Sequence, residues 1–215
     1  ISYTITVNPT PIVNDPADQV ICSGSLTTAI AFQGYAGTTY NWTNTMSSIG
    51  LAASGTGDIA AFTGQNTGTS PLTGTISVTP AFQNGGLTCY GTAQVFTITV
   101  NPSPVVGFSA QNQVLCSGGI SNSVTVSSTT PNANITWNVS NAPSGISGLT
   151  TTSGTNTIPS YTLVNSTNIA QTIHFVVSAA TSVGGCPGAS STYSITVNPS
   201  PVVNAVTPIV VCNGG

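Results

Sequence analysis

The stretch Ile5-Thr6-Val7-Asn8-Pro9 occurs three times in the chain and returns at residues 98–102 and 195–199. The spacings are 98 − 5 = 93 and 195 − 98 = 97 residues. A near-constant period of this length is typical of tandem domains, each with its own core. We therefore interpret 1–9 as the last strand of a preceding repeat, 10–102 as repeat 1, 103–199 as repeat 2 and 200–215 as the start of a following repeat.

Each copy of this stretch predicts a β-strand that ends at a proline. Apolar and polar residues alternate, as in Phe96, Ile98 and Val100, which predicts one buried face and one wet face. Proline lacks the amide hydrogen that a sheet ladder needs, and it restricts its neighbour to extended conformations. Asn-Pro-x-Pro should therefore end the strand and continue as a stiff joint, and the joint prolines are Pro9, Pro11, Pro102, Pro104, Pro199 and Pro201.

Each repeat carries one tryptophan, and the two stand at equivalent places in predicted strands. Trp42 and Trp137 stand on the apolar side of alternating strands, and we interpret them as central core residues. Further strands are expected at 29–32, at 73–82 and at 172–180. No segment shows the 3.6-residue period of an amphipathic helix. About seven short strands per repeat, with Gly, Pro and Asn between them, predict an all-β fold of tandem immunoglobulin-like β-sandwiches.

The charge inventory excludes several classes of partner. The chain has no Lys or Arg and only three acidic residues. Such a chain has no cations to neutralise phosphates or to bind an anionic bilayer surface, so we expect no nucleic-acid partner. No apolar run is long enough to cross a bilayer, so we expect no direct membrane insertion. Ser, Thr, Asn and Gly supply the polarity instead, as expected of an exposed extracellular stalk.

The recurring motifs also carry a family resemblance. Repeat 1 contains Cys-Ser-Gly at 22–24, Tyr-x-Trp-Thr at 40–43, Gly-Gly-x-x-Cys at 85–89 and Phe-x-Ile-Thr-Val-Asn-Pro at 96–102. This frame resembles the PKD-like, Ig-like tandem repeats of giant surface adhesins in gliding Bacteroidetes. The resemblance implies a bacterial cell-surface adhesin that is exported by the type IX secretion route and moved along the surface to drive gliding.

The five cysteines form two series, and in a charge-poor, exported chain they predict one disulfide per repeat. The preferred pairs are Cys22–Cys89 and Cys116–Cys186, with Cys212 unpaired within this sequence. The alternative joins Cys89 to Cys116 and Cys186 to Cys212, across a mostly extended segment that separates the partners beyond the ~7 Å Cα limit. The preferred pairing has a difficulty, because the two thiols lie at opposite ends of a plain Ig topology unless the first strand bends, for example at Pro16.

Candidate catalytic and metal residues are few. Calcium takes six or more oxygens, and Asp15, Asp18 and Asp58 have no carboxylate equivalents in repeat 2, so we expect no metal site. His174 lies on the polar side of a strand without a partner for acid–base work. We therefore expect no catalytic residue, no cofactor and no enzyme activity. Four Asn-x-Ser/Thr sequences match the N-glycosylation sequon, and we interpret them as chance matches in a chain rich in these residues. They begin at Asn41, Asn134, Asn138 and Asn165.

The preferred function is a structural one. We expect a semi-rigid spacer in the stalk of a surface adhesin, with the neighbouring repeats of the same chain as partners. One alternative is a glycan-binding or surface-binding module that uses exposed polar loops such as residues 34–39 to contact surface polysaccharide. Another is a set of accessory repeats of a secreted hydrolase. The near absence of charge also favours lateral self-association, because little like-charge repulsion opposes it.

Overall fold

The computed structural model of the chain describes residues 1–211 and Asn213. Cys212, one of the five cysteines, lies outside the described residues. Within the described part, regular structure is β except for one 3-10 turn at Ser47–Ile49. The strands in chain order are β1 (Gln19–Cys22), β2 (Thr38–Asn44), β3 (Ser54–Thr56), β4 (Leu72–Asn84), β5 (Leu87–Tyr90), β6 (Gln94–Asn101), β7 (Val106–Phe108), β8 (Gln113–Cys116), β9 (Gly119–Ile120), β10 (Val124–Ser128), β11 (Asn134–Asn141), β12 (Ile146–Ser147), β13 (Ser153–Thr155), β14 (Thr157–Ile158), β15 (Thr162–Asn165), β16 (Gln171–Ala180) and β17 (Ser191–Asn198).

The chain divides into two compact units that do not coincide with simple sequence halves. The first unit takes three segments, Ile1–Gly107, Val126–Thr136 and Ser178–Ser191. The second unit takes the remaining segments, Phe108–Thr125, Trp137–Val177 and Thr192–Gly215. Several strands of the second sequence repeat thus contribute residues to both units.

The main sheet of the first unit has the order β1-β6-β4-β2-β3, with β5 paired to β4. The long strand β4 pairs antiparallel with both β2 and β6. Strand β1 instead runs parallel to β6, so that the two strands end side by side. We call β6 the closing strand of repeat 1 and β17 the closing strand of repeat 2. The facing layer is less regular and is tied by isolated bridges, Leu26 to Thr63 and Ile30 to Ile59.

The core of the first unit lies between this sheet and the facing layer. Phe96, Ile98 and Val100 alternate inward from β6 and are 2%, 0% and 0% exposed. The buried core residues of this unit are Val13, Ile30, Phe32, Trp42, Ile49, Leu51, Ile59, Ile76, Val78, Phe96, Ile98 and Val100. Apolar side chains from two facing layers make this unit a β-sandwich, as the period-2 pattern predicts.

The second unit has the same plan with better formed short strands. The sheets formed by β7 to β17 have the orders β13-β11-β16-β17-β8, β14-β10-β7 and β12-β15-β9, and β8 runs parallel to β17. Phe175 lies at the centre of its core, with ring centroids of Trp137, Tyr161 and Tyr193 at 5.9, 6.0 and 6.3 Å. Burial raises the pKa of Tyr193, and a hydrogen bond from Gln113 lowers it in part.

The all-β fold of immunoglobulin-like sandwiches is therefore confirmed, while some local predictions differ from the structure. Residues 29–32 form no strand, and only Ile30 makes a bridge. The Phe32 amide donates to the Asp58 carboxylate at 2.9 Å, so a side chain takes the place of a ladder partner. Residues 1–9 also form no strand, and Tyr3, Ile5 and Val7 are 82%, 77% and 86% exposed.

Packing against Trp42 gives a testable prediction. A Cβ on Gly55 would overlap the Trp42 ring, whose Nε1 donates to Gly57 O at 3.1 Å. We expect Gly55→Ala to destabilise the first unit by about 1–3 kcal/mol, because the ring has to shift in a packed core. The adjacent Ser54→Ala, at an exposed position of β3, is the matched control and should cost less than about 0.5 kcal/mol. Guanidinium unfolding followed by tryptophan fluorescence measures both, and equal midpoints for the two variants would contradict the packing argument.

Candidate functional site

The parallel pairing of β1 with β6 places the first cysteine. Gln19 lies beside Ile98 and Cys22 beside Asn101, so the Cys22 side chain stands where the closing strand ends. The Asp18 carboxylate accepts a hydrogen bond from the Thr97 amide at 2.6 Å just before the pairing begins. This bond and the ladder fix the register of β1, and with it the position of the thiol.

A tight turn follows Cys22 and holds it against the sheet. The Ser23 amide donates to Asn101 O at 2.9 Å, and the Gly24 amide donates to Gly64 O at 2.8 Å. The Ser25 amide donates back to Cys22 O at 3.0 Å and closes the turn. Gly24 has a φ of +86°, a conformation that strongly favours glycine, which explains the third letter of the Cys-Ser-Gly motif.

A buried asparagine ties this turn to the closing strand. The Asn66 side chain is 5% exposed, and its Nδ2 donates to Val100 O at 2.7 Å and to Ser70 O at 2.8 Å. Its backbone amide donates to Ser23 Oγ at 3.0 Å. We call Asn66 and Ser23 the asparagine clip. Sequence reasoning missed it, because one more Asn-Thr pair does not stand out in a chain rich in both residues.

Cys186 sits in a small loop at the end of β16. The Thr181 amide donates to Cys186 O at 2.9 Å, and the Cys186 amide donates to Thr181 Oγ1 at 2.8 Å. The same hydroxyl donates to Val183 O at 2.8 Å. Gly184 and Gly185 both have positive φ, which lets the chain reverse in two residues. Cys186 is therefore held on a short rigid hairpin.

The two cysteines form a disulfide. The Cys22–Cys186 bond has a Cα–Cα distance of 5.4 Å and spans 164 residues of sequence. Both residues belong to the first compact unit, yet one comes from sequence repeat 1 and the other from sequence repeat 2. Closing a ring of this size lowers the conformational entropy of the unfolded chain, which stabilises the folded state by about 5 kcal/mol in the chain-entropy model. Among the described residues, Cys89 and Cys116 are free thiols.

The predicted pairs Cys22–Cys89 and Cys116–Cys186 are therefore wrong, and so is the alternative pair Cys89–Cys116. Cys89 lies opposite Phe82 on the far part of β4, whereas Leu72 at the other end of β4 lies opposite Val100. Ten residues of strand separate these ends, about 33 Å. The parallel pairing holds Cys22 at the Val100 end, and the first strand does not bend far enough to cross that distance.

The joint prolines near this disulfide are packed into the protein. Pro102 and Pro104 are buried, whereas Ser103 between them is exposed. A Cβ on Gly188, two residues after Cys186, would overlap Pro104 O. The end of the hairpin that carries Cys186 therefore lies directly on the Pro-x-Pro connector at residues 102–104. The remaining joint prolines are buried at Pro11, half-buried at Pro199 and exposed at Pro9 and Pro201.

A cleft of ≈ 160 Å³ lies beside the connector and is lined mainly by Pro, Thr and Ser side chains. It contains the side chain of Asn101, which is 3% exposed, and that of Thr130, which is 7% exposed. Among the described residues, Asn101 Nδ2 and Thr130 Oγ1 have no hydrogen-bond partner. A Cβ on Gly184 would collide with this amide nitrogen, so the Asn101 side chain packs against the hairpin that carries Cys186.

Two of the three acidic residues, Asp18 and Asp58, serve as hydrogen-bond acceptors in the structure. Asp18 and Asp58 accept from backbone amides, and in repeat 2 Asn112 Oδ1 accepts from the Ser194 amide at 2.9 Å, in the role of Asp18. Residues 1–211 and 213 contain no group of three or more His, Cys, Asp or Glu side chains that would hold a metal ion. An uncharged amide thus does the same work as the carboxylate of Asp18.

His174 and one sequon asparagine, Asn165, also have structural roles. His174 Nδ1 lies 2.9 Å from Ser194 Oγ across neighbouring strands. Asn165, the start of one sequon, is 5% exposed, and its Nδ2 donates to Val197 O at 2.8 Å and to Ile169 O at 2.7 Å. This amide is the counterpart of Asn66 in repeat 2. No helix in the part of the chain that the structure describes is long and apolar enough to span a membrane.

Comparison with known proteins supports the fold. Residues 113–201 match the family model of a PKD-like domain, which is less than half of the chain. No curated protein matches the sequence.

Solved structures that the chain matches include mouse cadherin-23 EC22-24, at 12% identity over 91% of this chain and 68% of that chain, with a TM-score of 0.46. Drosophila N-cadherin EC1-4 is 15% identical over 90% of this chain and 50% of that chain, with a TM-score of 0.47. The titin I-band fragment I67-I69 is 10% identical over 90% of this chain and 66% of that chain, with a TM-score of 0.40.

The disulfide predicts a specific peptide map. We expect pepsin digestion without reductant to yield one cross-linked peptide pair that contains Cys22 and Cys186. Trypsin is unsuitable, because the chain has no Lys or Arg. Before reduction, maleimide should label Cys116, which is exposed, faster than Cys89, which is half-buried. A cross-link between Cys22 and Cys89 in the oxidised, folded chain would contradict the structure.

The asparagine clip predicts a loss of stability. Asn66→Ala leaves Val100 O and Ser70 O without this donor in a buried setting, so we expect a loss of about 1–3 kcal/mol. The exposed Asn168→Ala is the matched control and should change the unfolding free energy by less than about 0.5 kcal/mol. Guanidinium unfolding under oxidising conditions separates the two. Equal midpoints would mean that water replaces the clip at no cost.

Proposed function

We propose that this chain is part of a tandem array of extracellular immunoglobulin-like repeats that acts as a structural spacer. The observation that carries the proposal is the Cys22–Cys186 disulfide, since it links residues of consecutive sequence repeats. A bond inside one repeat would stabilise that repeat alone. A bond between consecutive repeats ties a segment of one covalently to a segment of the next, which suits an array that acts as a spacer.

The same bond supports an extracellular location. Disulfides persist in oxidising compartments and are rare in proteins of the reducing cytosol. Each sandwich has a buried apolar core, and its exposed polar side chains are mainly the uncharged Ser, Thr and Asn. This arrangement suits a domain whose surface is hydrated without charged groups. We propose no catalytic role, because His174 is engaged with Ser194, and Asp18 and Asp58 accept backbone hydrogen bonds.

The finer proposal is a bacterial cell-surface adhesin of the gliding-motility type, similar to SprB and exported by the type IX route. Its support is the recurring motif frame together with the PKD-like model that matches residues 113–201. In such an adhesin the repeats set the reach of a distal binding region, and their partners are the neighbouring repeats of the same chain. Lateral association of arrays is compatible with a formal net charge of −3 over 215 residues.

Scattering measurements test the spacer role. We expect the oxidised chain to show a narrow distribution of dimensions by small-angle X-ray scattering. The double variant Cys22→Ser with Cys186→Ser should broaden that distribution, because the covalent constraint is lost. Cys89→Ser is the matched control and should leave it unchanged, since Cys89 is a free thiol among the described residues. Equal distributions for the oxidised chain and the double variant would contradict the proposal.

A glycan array tests the alternative with the same protein. The loop at residues 34–39 presents Tyr35, which is 51% exposed, and is the place where a sugar ring would stack. The spacer role predicts no specific binding. Specific micromolar binding that Tyr35→Ala abolishes would replace the spacer by a glycan-binding module.

A further inference from the structure

The free thiol of Cys116 lies in the same setting as Cys22 of the observed disulfide. Cys116 pairs in parallel beside Asn198, and the Ser117 amide donates to Asn198 O at 2.9 Å. The Gly118 amide donates to Leu163 O at 2.7 Å, and Gly118 has a φ of +83°. The clip is also repeated, since the Asn165 amide donates to Ser117 Oγ at 3.0 Å. The second turn therefore presents its thiol as the first turn does.

The free thiol of Cys89 lies in the setting of Cys186. Its hairpin contacts Asn8, the asparagine of the first Ile-Thr-Val-Asn-Pro stretch, because Asn84 Nδ2 donates to Asn8 Oδ1 at 2.9 Å and Asn8 Nδ2 donates to Asn84 O at 3.2 Å. A Cβ on Gly91, two residues after Cys89, would overlap Pro11 O. The hairpin is thus seated on both the Asn-Pro end of residues 1–9 and the Pro-x-Pro connector that follows.

These contacts have direct equivalents around the observed bond. Gly188 follows Cys186 by two residues and meets Pro104 O, and Gly184 in the same hairpin meets the Asn101 side chain. In sequence register, Asn8, Pro11, Cys89 and Gly91 correspond to Asn101, Pro104, Cys186 and Gly188. In the observed joint the residue paired beside the closing asparagine is the cysteine of the Cys-Ser-Gly turn. The same pairing beside Asn8 would bring such a cysteine to Cys89.

We propose that Cys89 and Cys116 are half-sites of two further disulfides of the Cys22–Cys186 kind. Cys89 takes the Cys-Ser-Gly cysteine of a repeat on its N-terminal side, and Cys116 takes the hairpin cysteine of a repeat on its C-terminal side. Each partner is another immunoglobulin-like repeat with these two motifs. The inference rests on the proposed tandem array, and it makes one cross-link per joint the rule of that array.

The bonds form by thiol–disulfide exchange with a disulfide-carrying oxidant, either a protein or a small molecule. One cysteine thiolate attacks the oxidant and forms a mixed disulfide, which releases one thiolate of the oxidant. The second cysteine thiolate attacks the protein sulfur of that mixed disulfide and releases the other oxidant thiolate. Two protein thiols lose two electrons and two protons, and the oxidant disulfide is reduced to two thiols.

An extended chain tests the proposal. Residues 200–215 are replaced by a second copy of residues 103–199, so that repeat 2 gains a following repeat after Pro199. In the second copy Cys116 is replaced by Ser, and the exposed Val183 is replaced by Ile, so that the chain keeps one Cys116 and the second copy's Cys186 peptide differs in mass. After oxidative refolding, we expect a non-reducing peptic map to show Cys22 joined to Cys186, and Cys116 joined to the second copy's Cys186. Maleimide labelling of Cys116 should fall from nearly complete in the 215-residue chain to nearly none in the extended chain, while Cys89 stays labelled.

Two variants of the extended chain serve as controls. Cys116→Ser should make the second copy's Cys186 available to maleimide, whereas Cys89→Ser should leave both cross-links unchanged. The Cys22–Cys186 bond reports that folding and oxidation have succeeded. If that bond is present and Cys116 is still labelled, or is joined to another cysteine, the proposal is wrong.

If the extended chain does not refold, a peptic map of the natural array, purified without reductant, decides the pairing in the same way. Failure of the spacer role has a different signature, because glycan binding or unchanged scattering would leave the disulfide map as proposed.

Discussion

The parallel pairing of β1 with β6 is the constraint on which the joint depends. It lays a short strand beside the closing strand in a register that ends with Cys22 next to Asn101. The turn that follows, the asparagine clip and the disulfide all use atoms that this register brings together. The pairing of β8 with β17 repeats the arrangement and ends with Cys116 next to Asn198. A slip of one residue would point the thiol to the other face of the sheet.

Uncharged polar groups hold the segments of this joint together by hydrogen bonds, a role that ion pairs have in many proteins. Asn66 and Asn165 each use one amide to satisfy two carbonyls, one of them on the closing strand. Asn112 accepts the backbone hydrogen bond in repeat 2 that Asp18 accepts in repeat 1. Buried hydrogen bonds of this kind do not depend on ionic strength, unlike exposed charge pairs, which salt screens. The fold is thus specified without a single cation.

The sequence predicted what is local and missed what depends on register between distant segments. The inward faces of Phe96, Ile98 and Val100 follow from alternation within one strand, so the sandwich class was accessible. The cysteine partners were not, because they depend on a parallel pairing that alternation does not reveal. Cys22 and Cys89 lie at opposite ends of the sheet, so a bond between them within repeat 1 does not form. Asn66 was also missed, because the sequence pattern does not distinguish it from the many other Asn and Thr residues of the chain.

The Cys22–Cys186 bond also sets the route that a mechanical load takes through the chain. Tension applied at the two ends passes through the sulfur atoms and bypasses the 164-residue stretch between them. Fully extended, that stretch would add about 550 Å of contour length. While the bond is intact this length stays unavailable, so the folded residues inside the ring are shielded from pulling. The covalent joint therefore keeps the residues inside the ring from adding length under force, whatever the strength of their own packing.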